Sequence, residues 1–125
     1  TLFSQSIGIL LPSNDLVIDT CRKLQDLGVS VEFKYNDDES NNFIDTLDFS
    51  SSTPKILTYH SAKGLQFDTV ILPMYAGAAD DDSRKALYVA MTRAMHQLYV
   101  MYSTSTLNPP LSNVPTALYK KNIMI

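Results

Sequence analysis

The residues of this chain best suited to chemistry lie between two short apolar runs. Lys55 to Tyr59 and Thr69 to Pro73 have the length and β-branched content of buried strands, and the connection between them holds Thr58, His60, Lys63, Gly64 and Gln66. Hydroxyl, imidazole, ammonium and carboxamide groups crowded into one strand-to-strand loop suit an anion or a nucleotide. In an open α/β sheet, the loops leaving the carboxyl ends of strands face the ligand crevice. A second group follows downstream, where Arg84, Tyr88 and Arg93 share the stretch RKALYVAMTRA. A guanidinium offers fixed charge and a planar fork of donors, the geometry that phosphoryl oxygens demand.

The elements that must position these groups read in order. Ile7 to Leu11 is an apolar strand closed by Pro12, and Ser13, Asn14 and Asp15 are helix-capping types. Leu16, Val17, Thr20, Cys21, Leu24 and Leu27 then recur at helical spacing until Gly28 supplies a stop. Val29 to Tyr35 alternates as a half-exposed strand at or near a sheet edge. Residues 36–54 form a polar connection in which Phe43, Ile44 and Leu47 can make one short helical turn. Asp37, Asp38 and Glu39 are adjacent rather than spaced as ligands, which makes them solvated surface and no metal site. Asp80 to Ser83 favour a helix start, with Ala86, Leu87, Ala90, Met91 and Ala94 on its buried stripe and Arg93 at the border of that stripe. Leu98 to Tyr102 is a further strand, and residues 104–125 form a proline-interrupted tail. Strands alternating with helices predict an α/β layer fold with a mainly parallel sheet.

Composition sets the outer bounds. The 125 residues suit one domain, 45% hydrophobic content excludes a disordered chain, and no apolar run is long enough to cross a membrane. Ten basic against thirteen acidic residues give a net charge of −3, so nucleic acid is not held by an overall positive field and any contact must be local. The single cysteine, Cys21, excludes an internal disulfide and suits a cytoplasmic protein. None of the four glycines opens a G-x-x-x-x-G-K-[ST] phosphate loop.

The wording of the two loaded stretches is also recognisable. TYHSAKGLQFD, Thr58 through Asp68, resembles motif V of the UvrD/Rep-type superfamily 1 DNA helicases in its T-x-H-x-A-K-G-L-x-F-D pattern, and Arg84 to Ala94 resembles motif VI, in the family's order. The resemblance implies a RecA-like three-layer fold and the C-terminal motor domain of a longer chain, of which residues 1–125 would be a fragment. Its implied partners are an N-terminal motor domain and single-stranded DNA. ATP and Mg2+ would be held mainly by that first motor domain, which carries the phosphate loop, so the fragment alone should be inactive as an ATP hydrolase. By resemblance Arg93 is the catalytic arginine reaching the γ-phosphate; Gln66, Gly64, Lys63, Arg84 and Tyr88 belong to the nucleotide side; and Thr58 and His60 touch the DNA backbone.

Three departures stand out. Gln66 replaces the family's usual glutamate, the connection 36–54 is too short for the family's inserted subdomain, and no arginine lies between Arg22 and Arg84. These mark a short form. A noncatalytic interaction module descended from a helicase, or a stand-alone nucleotide-binding module, are the competing readings. One geometric tension also follows: a simple strand–helix–strand arrangement puts Arg93 at the sheet edge remote from the loop that leaves Thr58.

Overall fold

The computed structural model describes residues 6–37, 42–75, 80–102 and Pro115. Asp38, Glu39, Gly77 and residues 104–114 and 116–125 lie outside the described residues, as does the side chain of Asp37. Among the described residues, six strands and two helices follow in the order β1 (Ile7–Leu11), α1 (Asn14–Asp26), β2 (Glu32–Asp37), β3 (Asn42–Asp45), β4 (Lys55–Thr58), β5 (Phe67–Leu72), α2 (Asp81–Met91) and β6 (Ala94–Val100). The sheet order is β3-β2-β4-β1-β5-β6, parallel throughout except for the antiparallel β2–β3 pair. The α/β class with a mainly parallel sheet is therefore as expected.

Alternation along the central strands builds two cores. On one face Leu11 and Ile56 pack with Val17 and Cys21 of α1, flanked by Phe33 and Tyr35. On the other, Leu10, Leu57, Phe67, Val70 and Leu72 pack with Leu87 and Ala90 of α2. Successive residues of a strand point to opposite faces, so adjacent apolar residues in β1 and β4 feed both layers at once. This is why these two strands read as continuous apolar runs. Among the described residues, no helix is long and apolar enough to cross a membrane.

Local chemistry sets the element ends. Ser13 caps α1 by accepting from the Leu16 N–H at 3.4 Å, and Gly28 follows the helix at φ +80°, in the left-handed region where a side chain is costly. Asp80 caps α2 by accepting from Ser83 at 2.7 Å, and this bond from the Ser83 backbone holds its carboxyl below the usual carboxylate range.

Two elements differ from the sequence reading. Phe43 and Ile44 form no helical turn; they lie in β3, which pairs antiparallel with β2 and leaves Phe43 60% exposed. The Thr46 N–H donates to the Phe33 carbonyl at 2.9 Å and its hydroxyl accepts from the Phe33 N–H at 3.0 Å, so the segment takes its backbone partners from 13 residues away. A helical turn has no such partner to offer. The last strand begins at Ala94 rather than Leu98, because the Phe67 N–H donates to the Arg93 carbonyl at 2.9 Å and starts the β5–β6 ladder at once.

An ion pair between a buried lysine and a partly buried glutamate, invisible in the linear pattern, closes the loop before β4. Lys55 is 4% exposed; its Nζ lies 3.1 Å from Glu32 Oε1 and donates to the carbonyls of Ser51 and Thr53. Glu32 also accepts from the Asp48 N–H and the Ser51 hydroxyl. Burial pushes the Glu32 carboxyl up, but those bonds and Lys55 outweigh it and hold the group below its ordinary range.

Candidate functional site

The connection Tyr59 to Gln66 joins two parallel strands that flank β1, so it must travel from the carboxyl edge of the sheet to the amino edge. Those edges stand roughly 15 to 20 Å apart, the length of a typical strand. The loaded residues consequently divide between two places.

At the carboxyl edge, Thr58, His60 and Ser61 meet Pro12, Ser13 and Asn14 from the end of β1, and Tyr35, Asn36 and Phe43 from the β2–β3 hairpin. Together they line an open depression of about 220 Å³. Tyr59 fixes the start of the loop: it is 7% exposed in the α2-side core, and its N–H donates to the Leu11 carbonyl at 2.9 Å. Burial, with Tyr75 nearby, pushes its hydroxyl up to about 12, so it stays a neutral O–H at neutral pH. Thr58 is 6% exposed, and its hydroxyl bonds the Ser61 hydroxyl and accepts from the Ser61 N–H, both at 3.1 Å. The hydroxyl expected to face a ligand is thus engaged in shaping the turn. Exposed His60 stands beside it, and the Ser61 hydroxyl, which accepts from Thr58, keeps its own proton to donate.

Asn14 has a comparable double part. Its Oδ1 accepts from the Asn36 N–H at 3.1 Å, which ties α1 to the hairpin and fixes the orientation of the amide. Its NH2 group is left to donate. Sequence reasoning assigned Ser13 and Asn14 to capping and did not reach Ser61, Tyr35, Asn36 or Phe43. Residues 13, 36, 43 and 58 share an edge only because the strands that carry them lie side by side.

At the amino edge stands Arg93. It follows α2, whose C-cap is Thr92, and its half-buried guanidinium donates from Nε to the Val89 carbonyl at 3.0 Å, from Nη1 to the Leu65 carbonyl at 3.4 Å and from Nη2 to the Thr92 hydroxyl at 3.3 Å. A guanidinium carries more N–H groups than these three bonds use, and both terminal nitrogens keep a donor. No carboxylate among the described residues pairs with it. The sequence tension is resolved here: Arg93 is remote from Thr58, but the descending end of the same connection comes down to it.

The remaining candidates sit on exposed surface. Lys63, Gly64 and Gln66 are exposed on the connection; Gly64 has φ +84° with open space around its Cα, so its glycine is needed for backbone shape alone. Arg84 and Tyr88 lie one turn apart on α2. Tyr88 is 69% exposed and Arg84 sits 3.6 Å from Asp81 at the surface. Near Arg93, Asp68 is 5% exposed and its Oδ1 lies 2.6 Å from His96 Nδ1, a contact across the irregular start of the β5–β6 pair.

A three-layer α/β domain, with a loaded strand-to-strand connection above and a backbone-held arginine below, is the class this geometry defines. The family model of the UvrD-like helicase C-terminal domain matches residues 55–101 of it. The chain is 34% identical over 82 residues to the ATP-dependent DNA helicase PcrA of Staphylococcus aureus, covering 53% of this chain and 11% of that protein. It is 41% identical over 70 residues to the RecBCD enzyme subunit RecB of Chlamydia pneumoniae, covering 53% of this chain and 6% of that one. The C-terminal domain of a possible DNA helicase from Lactobacillus plantarum superposes with a TM-score of 0.62 at 27% identity, covering 90% of this chain and 65% of that one. The chain therefore spans about a tenth or less of the curated relatives it matches.

Proposed function

We propose that this chain is the second motor domain of an ATP-dependent superfamily 1 DNA helicase or translocase, with Arg93 completing an ATP site whose phosphate loop and Mg2+ ligands belong to the first motor domain. The observation that carries the reading is the hold on Arg93. Backbone carbonyls from both loaded stretches orient the guanidinium, no carboxylate among the described residues neutralises it, and donors remain for a phosphoryl group. Gln66, next to Leu65, and Lys63, Gly64, Arg84 and Tyr88 form the exposed surroundings from which nucleotide contacts would come. Glutamine at position 66 keeps an acceptor oxygen for a ribose hydroxyl but brings no charge.

On the opposite edge, His60 and Ser61 face a single strand of DNA, with Thr58 holding the turn that presents them. A track and a nucleotide site joined by one eight-residue connection, Tyr59 to Gln66, give strand binding a direct mechanical route to the arginine.

The test is Arg93→Lys in the full-length protein. Lysine keeps the charge but removes the planar fork, so turnover should fall by about 10² to 10⁴ while ATP binding changes little. Parental hydrolysis by a folded variant would favour a noncatalytic interaction module descended from a helicase.

A further inference from the structure

We propose that Phe43, on the β2–β3 hairpin, is a stacking platform for one base of a single strand whose backbone passes over His60 and Ser61. This rests on the reading of the carboxyl edge as a strand track. It adds to that reading a residue outside both loaded stretches and a way of gripping the base.

Phe43 stands on the wall of the depression yet is 60% exposed, so the fold gains little burial from it. Its ring is nonetheless positioned. Phe43 pairs in register with Asn36, whose N–H is held by Asn14, and Lys34 Nζ lies 5.6 Å from the ring centroid. That ammonium lies over the ring while Phe43 remains 60% exposed, and it adds a cation beside the track. The same depression is lined by donors of the right kind: the His60 imidazole, the Ser61 hydroxyl and the NH2 of Asn14. An open depression of about 220 Å³ is smaller than the usual enclosed small-molecule pocket, and suits one unit of a chain passing through.

An exposed aromatic beside hydrogen-bond donors is the chemistry that grips single strands, because every base has a π-face. A duplex does not offer that face, since its bases are stacked on one another. The platform is consequently specific for unpaired nucleic acid and indifferent to sequence.

The experiment uses the full-length protein and two fluorescein-labelled probes of equal length, an oligothymidylate and a fully abasic strand. Phe43→Ala should weaken oligothymidylate binding by about 5- to 100-fold, leave abasic-strand binding at the parental level, and leave thermal unfolding unchanged. Phe43→Trp should retain oligothymidylate affinity. Equal loss on both probes would overturn the platform and make Phe43 a prop for the hairpin. Parental oligothymidylate binding by Phe43→Ala, alongside loss in a folded Thr58→Ala/His60→Ala variant, would keep the track but overturn stacking and leave the ring to a protein contact. Unchanged binding by all these variants would overturn the track itself.

Discussion

Arg93 Nη1 donates to the Leu65 carbonyl across 28 residues of sequence, while the Arg93 carbonyl accepts from the Phe67 N–H at 2.9 Å. One arginine thus grips the end of the loaded connection from both its side chain and its backbone. The side-chain part is removable. Arg93→Ala should destabilise the fold by about 1 to 3 kcal/mol, since the carbonyls of Val89 and Leu65 lose a charged donor, whereas Arg93→Lys should keep part of that stability. Chemical denaturation of both variants checks this, and a folded lysine variant is what makes the hydrolysis test readable.

Gly8 is the second residue of β1, where a Cβ would stand 2.6 Å from Phe67 Cδ2 and 2.8 Å from two further ring atoms. Phe67 is 2% exposed and has no room to swing away. Gly8→Ala should therefore cost about 1 to 3 kcal/mol despite the better strand propensity of alanine. Adding Phe67→Leu should recover part of the loss, a coupling that a double-mutant cycle in denaturant reads directly.

The Glu32–Lys55 pair should make stability depend on pH in a defined direction. Because the folded state holds the Glu32 carboxyl below its ordinary value of 4.5, its contribution is present above that value and is lost as pH falls through the lowered one. The stability difference between parent and Glu32→Gln should shrink steadily on acidification from pH 6. Lys55→Met, which leaves a partly buried carboxylate with only its Ser51 and Asp48 bonds, should cost about 1 to 3 kcal/mol at pH 7.

Cys21 is 4% exposed, and burial pushes its thiol up to about 11. Alkylation at pH 8 should be slow in the native protein and become fast only on unfolding, which mass spectrometry after iodoacetamide treatment resolves. Rapid native labelling would mean that α1 opens readily from the sheet.

Several of these features are local and were open to reading from residue order alone. The apolar runs of β1 and β4, the caps at Ser13 and Asp80, the stop at Gly28 and the buried place of Cys21 depend on neighbours within a few residues. The two loaded stretches were legible for the same reason, since their chemistry is carried by side-chain type and close spacing. Pairing between distant segments was not. Nothing near Phe43 in the chain announces that Phe33 offers Thr46 its backbone partners, so an apolar pair in a polar connection passed for a helical turn rather than a strand. Lys55 looked like the flank of a strand until the Glu32 carboxylate was brought beside it. The division of Thr58 and Arg93 between opposite sheet edges, and their joining through Leu65, arise from placing β1 between β4 and β5. That placement is decided by burying both faces of the central strands at once, a free energy spread over residues far apart in sequence that exists only in the assembled sheet.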